Sequence, residues 1–245
     1  MENKIQHNKT YILIHGAWHT SECWDELKCM LENKGHQVFS PDLPGHGKDK
    51  TPFQQISLTT YVNSILSLIN IINRPVILVG HSMAGIIISQ LAEEIPDKIE
   101  QLIYIAAFIP NNNESLSIEA SKSASKGIST EMLVDPNKNE IELRLSNKIK
   151  DLFFNTCDTT LAEKALFLLQ KEPLSPFNDF VTLSEKRYGK VKKKYIECLQ
   201  DNAVSVNDQQ RMYSKILCDV TAIDCDHSPF YSATTELLKA ILDYE

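Results

Sequence analysis

The sequence predicts an α/β fold, a mainly parallel sheet flanked by helices, and three observations predict it. Short apolar runs at Val76–Val79 and Leu102–Ala106 read as strands buried on both faces, with further strands at Tyr11–Ile14 and Val220–Ile223. Amphipathic segments at helical spacing separate the early runs, giving the order strand, helix, strand, helix, strand of a parallel sheet. At residues 75–85, PVILVGHSMAG, a strand passes through a tight turn of small residues straight into a helix and leaves Ser82 at the turn. A chain of 245 residues is long enough for one such domain with a full core, or for two small domains.

Taken in order, the Tyr11–Ile14 strand runs into His15, Gly16, Ala17, Trp18 and His19. A helix is expected from about Ser21 to Asn33, ended by Gly35, and then a strand through Val38 and Phe39. The loop PDLPGHG at 41–47 is rich in turn formers, after which Leu58, Tyr61, Val62, Ile65, Leu66, Ile69 and Ile72 mark a long amphipathic helix. Beyond the Val76–Val79 strand, Ile86, Ile87, Leu91 and Ile95 give the next helix its apolar stripe, and Pro96 marks its end. The Leu102–Ala106 strand follows.

From about Phe108 to Gly189 the alternation stops. A polar stretch, NNNESLSIEASKSASKG, precedes helical segments expected near Ile141 to Phe154 and Leu161 to Lys171, the second with Leu161, Ala165, Leu168 and Leu169 along one face. An insertion that leaves the carboxyl end of a parallel strand lies over the place where such sheets bind ligands. Residues 108–189 are therefore expected to form a helical cap on a core made of 1–107 and 190–245. The sheet resumes at Lys194 to Leu199, with Lys190, Lys192, Lys193 and Lys194 expected in solvent. A helix near Asp208 to Lys215, the Val220–Ile223 strand and a last helix carrying Leu237, Leu238, Ile241 and Leu242 complete the chain.

Strand, turn and helix around Ser82 form a nucleophile elbow. So tight a turn forces the serine into an unfavourable backbone conformation and brings the flanking positions together, which Gly80 and Ala84 allow by being small. The helix behind the turn points its amides and positive dipole end at the serine, where negative charge develops in acyl transfer. The HG dipeptide at 15–16 can bring a backbone amide, that of Ala17, close to a ligand; a plain turn at Gly16, or a metal pair of His15 and His19 lacking a third ligand, is the competing reading. Asp201 and His227 each follow a strand and so belong at the same sheet edge as Ser82, in the chain order Ser, Asp, His that this arrangement uses. Asp224 and Asp226 are rival acids, with Asp226 too close in sequence to His227 for an easy approach to Nδ1. His81 is expected to point away from the serine. Ser228 and Pro229 read as a helix cap and first helical residue that fix His227 just outside a helix.

A formal net charge of -7, with no long basic run, argues against nucleic acid or an anionic membrane as partner. The first ten residues are polar, so no signal peptide is expected, and no apolar run reaches membrane-spanning length. The six cysteines lack CxxC spacing and read as reduced thiols of a cytoplasmic protein.

With ILIHGAWH at 12–19, DLPGHG at 42–47, VGHSMAG at 79–85, LIYIAAFIP at 102–110, QDNAV at 200–204 and DHSPF at 226–230, the chain resembles the α/β-hydrolases. Within them it is similar to the plant methylesterase and hydroxynitrile lyase group and its bacterial esterase relatives. The resemblance implies a triad of Ser82, Asp201 and His227, and an oxyanion hole from the amides of Ala17 and Met83. It implies hydrolysis of small carboxylic esters through an acyl-enzyme, needs no cofactor or metal, and admits a homodimer. Lyases of this group carry lysine directly after the catalytic histidine; here Ser228 stands there, which speaks against lyase activity. The only tryptophans are Trp18 and Trp24, so the cap brings none to the pocket. Thioester, lactone or carbon–carbon bond hydrolysis on the same triad, or a non-catalytic small-molecule binding protein, are the alternatives, and an intact triad argues against the last. Because His227 must be neutral to act as base, activity is expected to rise from acid to neutral pH.

Overall fold

Alternate residues of the central strands face two separate cores, and that alternation organises the computed structural model, which describes residues 8–125 and 127–242. The first seven residues, on which part of the expected polar start rests, lie outside the described residues. Strand β1 (Thr10–Ile14) leads through a 3₁₀ turn at Ser21–Trp24 into α1 (Asp25–Asn33) and then β2 (Gln37–Phe39). Helix α2 (Leu58–Ile72) starts at a capping box, in which Ser57 and Thr60 each bond the other's backbone amide, and ends at Asn73 with φ 53°. Strand β3 (Val76–His81), α3 (Ala84–Glu94) and β4 (Ile99–Ile105) follow.

The sheet closes with β8 (Lys192–Cys198) and β9 (Asp219–Ile223) in the order β2-β1-β3-β4-β8-β9, and every neighbouring pair is parallel. The chain passes from β1 outward to β2 and then returns to lay β3 on the other side of β1. Such a reversal opens a crevice at the carboxyl ends of the strands. Ile12, Ile14, Leu78, Leu102 and Tyr104 pack toward α2 and α3; Tyr11, Leu13, Ile77, Val79 and Ile103 pack toward α1 and α10 (Thr234–Leu242).

The segment between β4 and β8 departs from the expected helices. Its polar stretch contains α4 (Leu116–Ser121), capped by the Ser115 side chain, and buried Glu119 of α4 pairs with Arg211 of α8 (Val206–Tyr213) and with Lys215. The helix expected from Ile141 to Phe154 is instead a strand and a shorter helix. In β6 (Glu140–Leu143) the EIEL sequence alternates, Ile141 and Leu143 inward and Glu142 outward, and Ser146 then caps α5 (Asn147–Phe153). Strand β6 pairs antiparallel with both β5 (Met132–Asp135) and β7 (Glu172–Pro173). Helix α6 (Thr159–Leu168) is capped by Asp158 and buries Ala162 and Ala165, whereas Phe167 is 83% exposed; the small residues, not the leucines, form its inner face. A short helix α7 (Ser175–Asn178) follows β7.

Lys193 and Lys194 are buried rather than solvated. Lys193 Nζ donates to the carbonyls of Tyr188 and Val191 at 2.7 and 2.8 Å and lies 4.2 Å above the Tyr188 ring, so backbone oxygens and an aromatic face replace water. Among the described residues no helix is long and apolar enough to cross a membrane.

Candidate active site

Strand β3 ends one residue before Ser82, whose φ is 52°. A non-glycine residue in the left-handed region is strained, and the surroundings hold it there: the Ser82 amide donates to the Ile105 carbonyl, and the Phe108 amide donates to the Ser82 carbonyl. A Cβ on Gly80 would sit 3.0 Å from the Ala84 carbonyl oxygen, which is why the position two before the serine carries no side chain. Across the crevice, a Cβ on Gly16 would lie 2.9 Å from Ser82 Cβ. The loop after β1 thus lies directly against the serine.

His227 follows β9 and precedes the short helix α9 (Pro229–Ser232), of which Pro229 is the first residue as expected. The Ser228 side chain makes no cap bond, however, and its buried Oγ has no hydrogen-bond partner among the described residues. The turn is held by Asp226, which accepts the Ser228 amide at 3.0 Å and the Ser232 hydroxyl at 2.7 Å, while its other oxygen accepts the Thr156 amide at 2.9 Å. Asp226 is therefore occupied away from the imidazole. Asp224 bonds the Gln200 side chain.

Asp201 is the acid that reaches the ring. Its Oδ2 lies 2.7 Å from His227 Nδ1, and Oδ1 accepts the amides of Ala203 and Val204, both at 2.8 Å. Since a carboxylate only accepts, Nδ1 carries the proton and Nε2 presents its lone pair. Ser82 Oγ lies 3.1 Å from that Nε2. Ser82, His227 and Asp201 are all buried, at 8%, 2% and 5% exposure, so their interactions are poorly screened.

Three further histidines surround this line and are neutral. His81 Nε2 donates to the His227 carbonyl at 2.7 Å, and burial, reinforced by the neighbouring His227, holds its pKa well below the usual histidine value. His19 donates through Nδ1 to the Ala17 carbonyl, and burial takes its pKa to about 4. His15 donates through Nδ1 to the Gly16 carbonyl and accepts the Leu43 amide on Nε2; burial, with His46 nearby, takes it to about 3. His15 and His19 thus orient backbone, and no group of three His, Cys, Asp or Glu among the described residues could hold a metal ion.

Ala17 and Met83 both line a cavity of about 470 Å³ that opens onto Ser82 and His227. Neither amide is engaged by a hydrogen bond among the described residues. Met83 precedes the first residue of α3, so its amide belongs to the unpaired, electropositive end of that helix. Trp18, Phe108, Leu116, Met132, Phe153 and Phe177 form much of the cavity wall. The Phe153 ring stacks on His227, with centroids 5.3 Å apart and planes 24° from parallel. The cavity's tryptophan, Trp18, comes from the loop after β1.

The comparisons with known proteins agree with this architecture. The family described as "Alpha/beta hydrolase family" matches residues 11–240. The chain belongs to that family. It is 30% identical over 249 residues to Methylesterase 7 of Arabidopsis thaliana, a match covering 96% of this chain and 95% of that one. It is also 30% identical to the putative chloroplastic methylesterase 11 of the same plant, where it spans 63% of the relative's length. Among solved structures, a pyrethroid hydrolase from Sphingobium faniae JZ-2 superposes with a TM-score of 0.87 at 24% identity, covering 96% of both chains, and so shares the fold. The match to Methylesterase 7 over nearly its whole length places this α/β-hydrolase among the carboxylic ester hydrolases.

Sequence reasoning brought Ser82, Asp201 and His227 to one sheet edge, and the resemblance added the amides of Ala17 and Met83; in the structure the three side chains form one hydrogen-bonded line, and Ala17 and Met83 line the same cavity as Ser82 and His227. It missed the cavity wall and Glu172. This fully buried carboxylate of β7 accepts the Trp18 amide at 2.9 Å, contacts His46 Nε2 at 2.9 Å and accepts the Tyr61 hydroxyl at 2.8 Å. In sequence Glu172 sits in QKEP, beside a lysine, and reads as an ordinary surface charge.

Proposed function

We propose that this hydrolase cleaves small carboxylic esters through an acyl-enzyme formed on Ser82, with His227 as general base and acid and Asp201 as the group that orients it. The supporting observation is the unbroken line from Asp201 Oδ2 through His227 to Ser82 Oγ, 2.7 and 3.1 Å, ending at an apolar cavity. His227 Nε2 takes the Ser82 proton as Oγ attacks the ester carbonyl, and Asp201 supports the imidazolium that forms. The amides of Ala17 and Met83 receive the oxyanion, each such donor being worth about 3 kcal/mol of barrier. His227 then protonates the departing alcohol. Water attacks the acyl-enzyme by the same route and releases the acid.

The segment from 108 to 189 acts as the cap, since Leu116, Met132, Phe153 and Phe177 from it wall the cavity above Ser82. Apolar walls, with no charged side chain among the described residues that line the cavity, favour an uncharged acyl group. The cysteines are unpaired among the described residues, which supports a reducing, cytoplasmic setting.

The test is hydrolysis of a panel of methyl and chromogenic esters by wild type and Ser82→Ala. Turnover by wild type that vanishes in the variant is the expected result. Undiminished hydrolysis by Ser82→Ala, or inert wild type that turns over thioesters, lactones or carbon–carbon substrates instead, rejects this reading.

A further inference from the structure

The residue beside the Ala17 amide has an unusual backbone. Trp18 has φ 63°, in the left-handed region that a bulky side chain rarely enters. Both polar groups of its backbone are held from the far side of the sequence: Glu172 accepts its amide at 2.9 Å, and its carbonyl accepts the Gln170 amide at 2.8 Å. The peptide unit joining Ala17 to Trp18 is thereby pinned at both ends, because the Ala17 carbonyl accepts His19 Nδ1 at 3.0 Å. Ala17 lines the cavity at Ser82, so the backbone that carries its amide is anchored at the very next peptide unit.

Glu172 is itself tightly fixed. It has no solvent exposure, and its two oxygens meet three donors, the Trp18 amide, His46 Nε2 and the Tyr61 hydroxyl. His46 Nδ1 faces the Pro44 carbonyl at 3.2 Å, so both ring nitrogens face acceptors and the ring is an imidazolium paired with the carboxylate. Burial opposes that charge, but the Glu172 carboxylate outweighs it and raises the His46 pKa above its ordinary value.

We infer that Glu172 is a positioning residue of the oxyanion hole: by accepting the Trp18 amide it holds the loop after β1 in the strained form that aims the Ala17 amide at the substrate oxygen. The inserted segment thus contributes to the chemical step as well as to the cavity wall. This inference rests on the proposed role of the Ala17 amide.

Two variants of similar length separate the functions of this side chain. Glu172→Gln keeps an oxygen acceptor within reach of the Trp18 amide, and Glu172→Met removes it. In Glu172→Met, kcat is expected to fall about 10- to 100-fold with KM within about threefold, because a misaimed donor is felt in the transition state and not in substrate binding. The affinity for a trifluoromethyl ketone, which forms an oxyanion on Ser82, should fall by the same factor. Glu172→Gln should keep kcat within about threefold of wild type. A Glu172→Met enzyme with wild-type kcat, or one in which only KM moves, or a Gln variant as slow as the Met variant, overturns the inference. Should Glu172→Met not fold, Glu172→Asp replaces it; its carboxylate is one carbon too short for the Trp18 amide, and wild-type kcat there is equally fatal. Loss of all turnover in Ser82→Ala alongside unchanged Glu172 variants would reject this role alone, whereas persistent turnover in Ser82→Ala would reject the esterase reading beneath it.

Discussion

His81 Nε2 lies 2.7 Å from the backbone carbonyl of His227, and the two rings pack with centroids 4.6 Å apart. The residue beside the nucleophile therefore holds the residue that is to deprotonate it, through the backbone and not through the reacting nitrogens. The His227 imidazole has Phe153 stacked on it, Asp201 at Nδ1 and Ser82 at Nε2. Ring face and both nitrogens are thus engaged, and Asp201 is the one charged group that bonds the ring among the described residues.

His81→Ala removes this support and leaves the reacting atoms in place. We expect kcat to fall about tenfold and stability to drop by about 3 kcal/mol, the sum of a small buried cavity and an orphaned carbonyl. Steady-state kinetics and urea midpoints measure the two effects. A variant as inactive as Ser82→Ala would mean that His81 takes part in the chemistry directly.

Asp201 and Asp226 are both buried and both within reach of the His227 turn, yet only Asp201 bonds the ring. Asp201→Asn should therefore reduce kcat by about 10³- to 10⁴-fold with little change in KM, since the amide cannot hold the same tautomer. Asp226→Ala should instead cost about 3 kcal/mol of stability, through the unpaired Thr156 and Ser228 amides, while the folded enzyme keeps kcat within about tenfold. The opposite ranking in kcat would move the acid role to Asp226.

How far the sequence reaches is clear from these residues. Strands buried on both faces are written as apolar runs, and a tight turn is written as small residues, so β1, β3, β4 and the bend at Ser82 could be read directly. Ser82, Asp201 and His227 could be placed together because each follows a strand of one parallel sheet, whose carboxyl ends lie at one edge. Side-chain partners across long sequence separations leave no such mark. Glu172 is 154 residues from Trp18, and nothing in QKEP signals burial. Lys193 looked solvated because its carbonyl partners lie in the turn before β8. The region around Ile141 failed for a different reason: a two-turn helix and a four-residue strand with intervening polar residues present few periods from which to tell 3.6 from 2.

Phe177 faces the cavity and packs against Trp18, ring centroids 5.8 Å apart, whereas the ring stacked on His227 is that of Phe153. Phe177→Ala should enlarge the cavity and change acyl preference more than chemistry. With short acyl esters kcat/KM should fall about 10-fold, mostly in KM, whereas bulkier acyl groups should lose less or gain, since one apolar contact is worth about 1–3 kcal/mol. A uniform loss across acyl sizes would mean that Phe177 supports His227 and does not shape the substrate.

The buried neutral histidines make the fold sensitive to acid. The pKa of His15 is about 3, that of His19 about 4, and that of His81 well below normal, each because burial penalises the charged ring. In the unfolded chain each returns to about 6.5. Between those values the unfolded state binds a proton that the native state refuses, so stability rises with pH and is lost as pH falls below about 6.5. Each refused proton contributes up to about 1.4 kcal/mol per pH unit, and together these rings make the loss about 4 kcal/mol per unit well below 6.5. His46 works in the other direction: its raised pKa gives stability that is complete below the unfolded value and fades as pH rises through the folded one, so it does not offset the acid loss. Urea midpoints between pH 7 and 5 should fall steeply at constant m-value. In His19→Gln the fall should shrink by about one proton's worth, or 1.4 kcal/mol per unit. An unchanged slope in that variant would mean that His19 is protonated in the native fold.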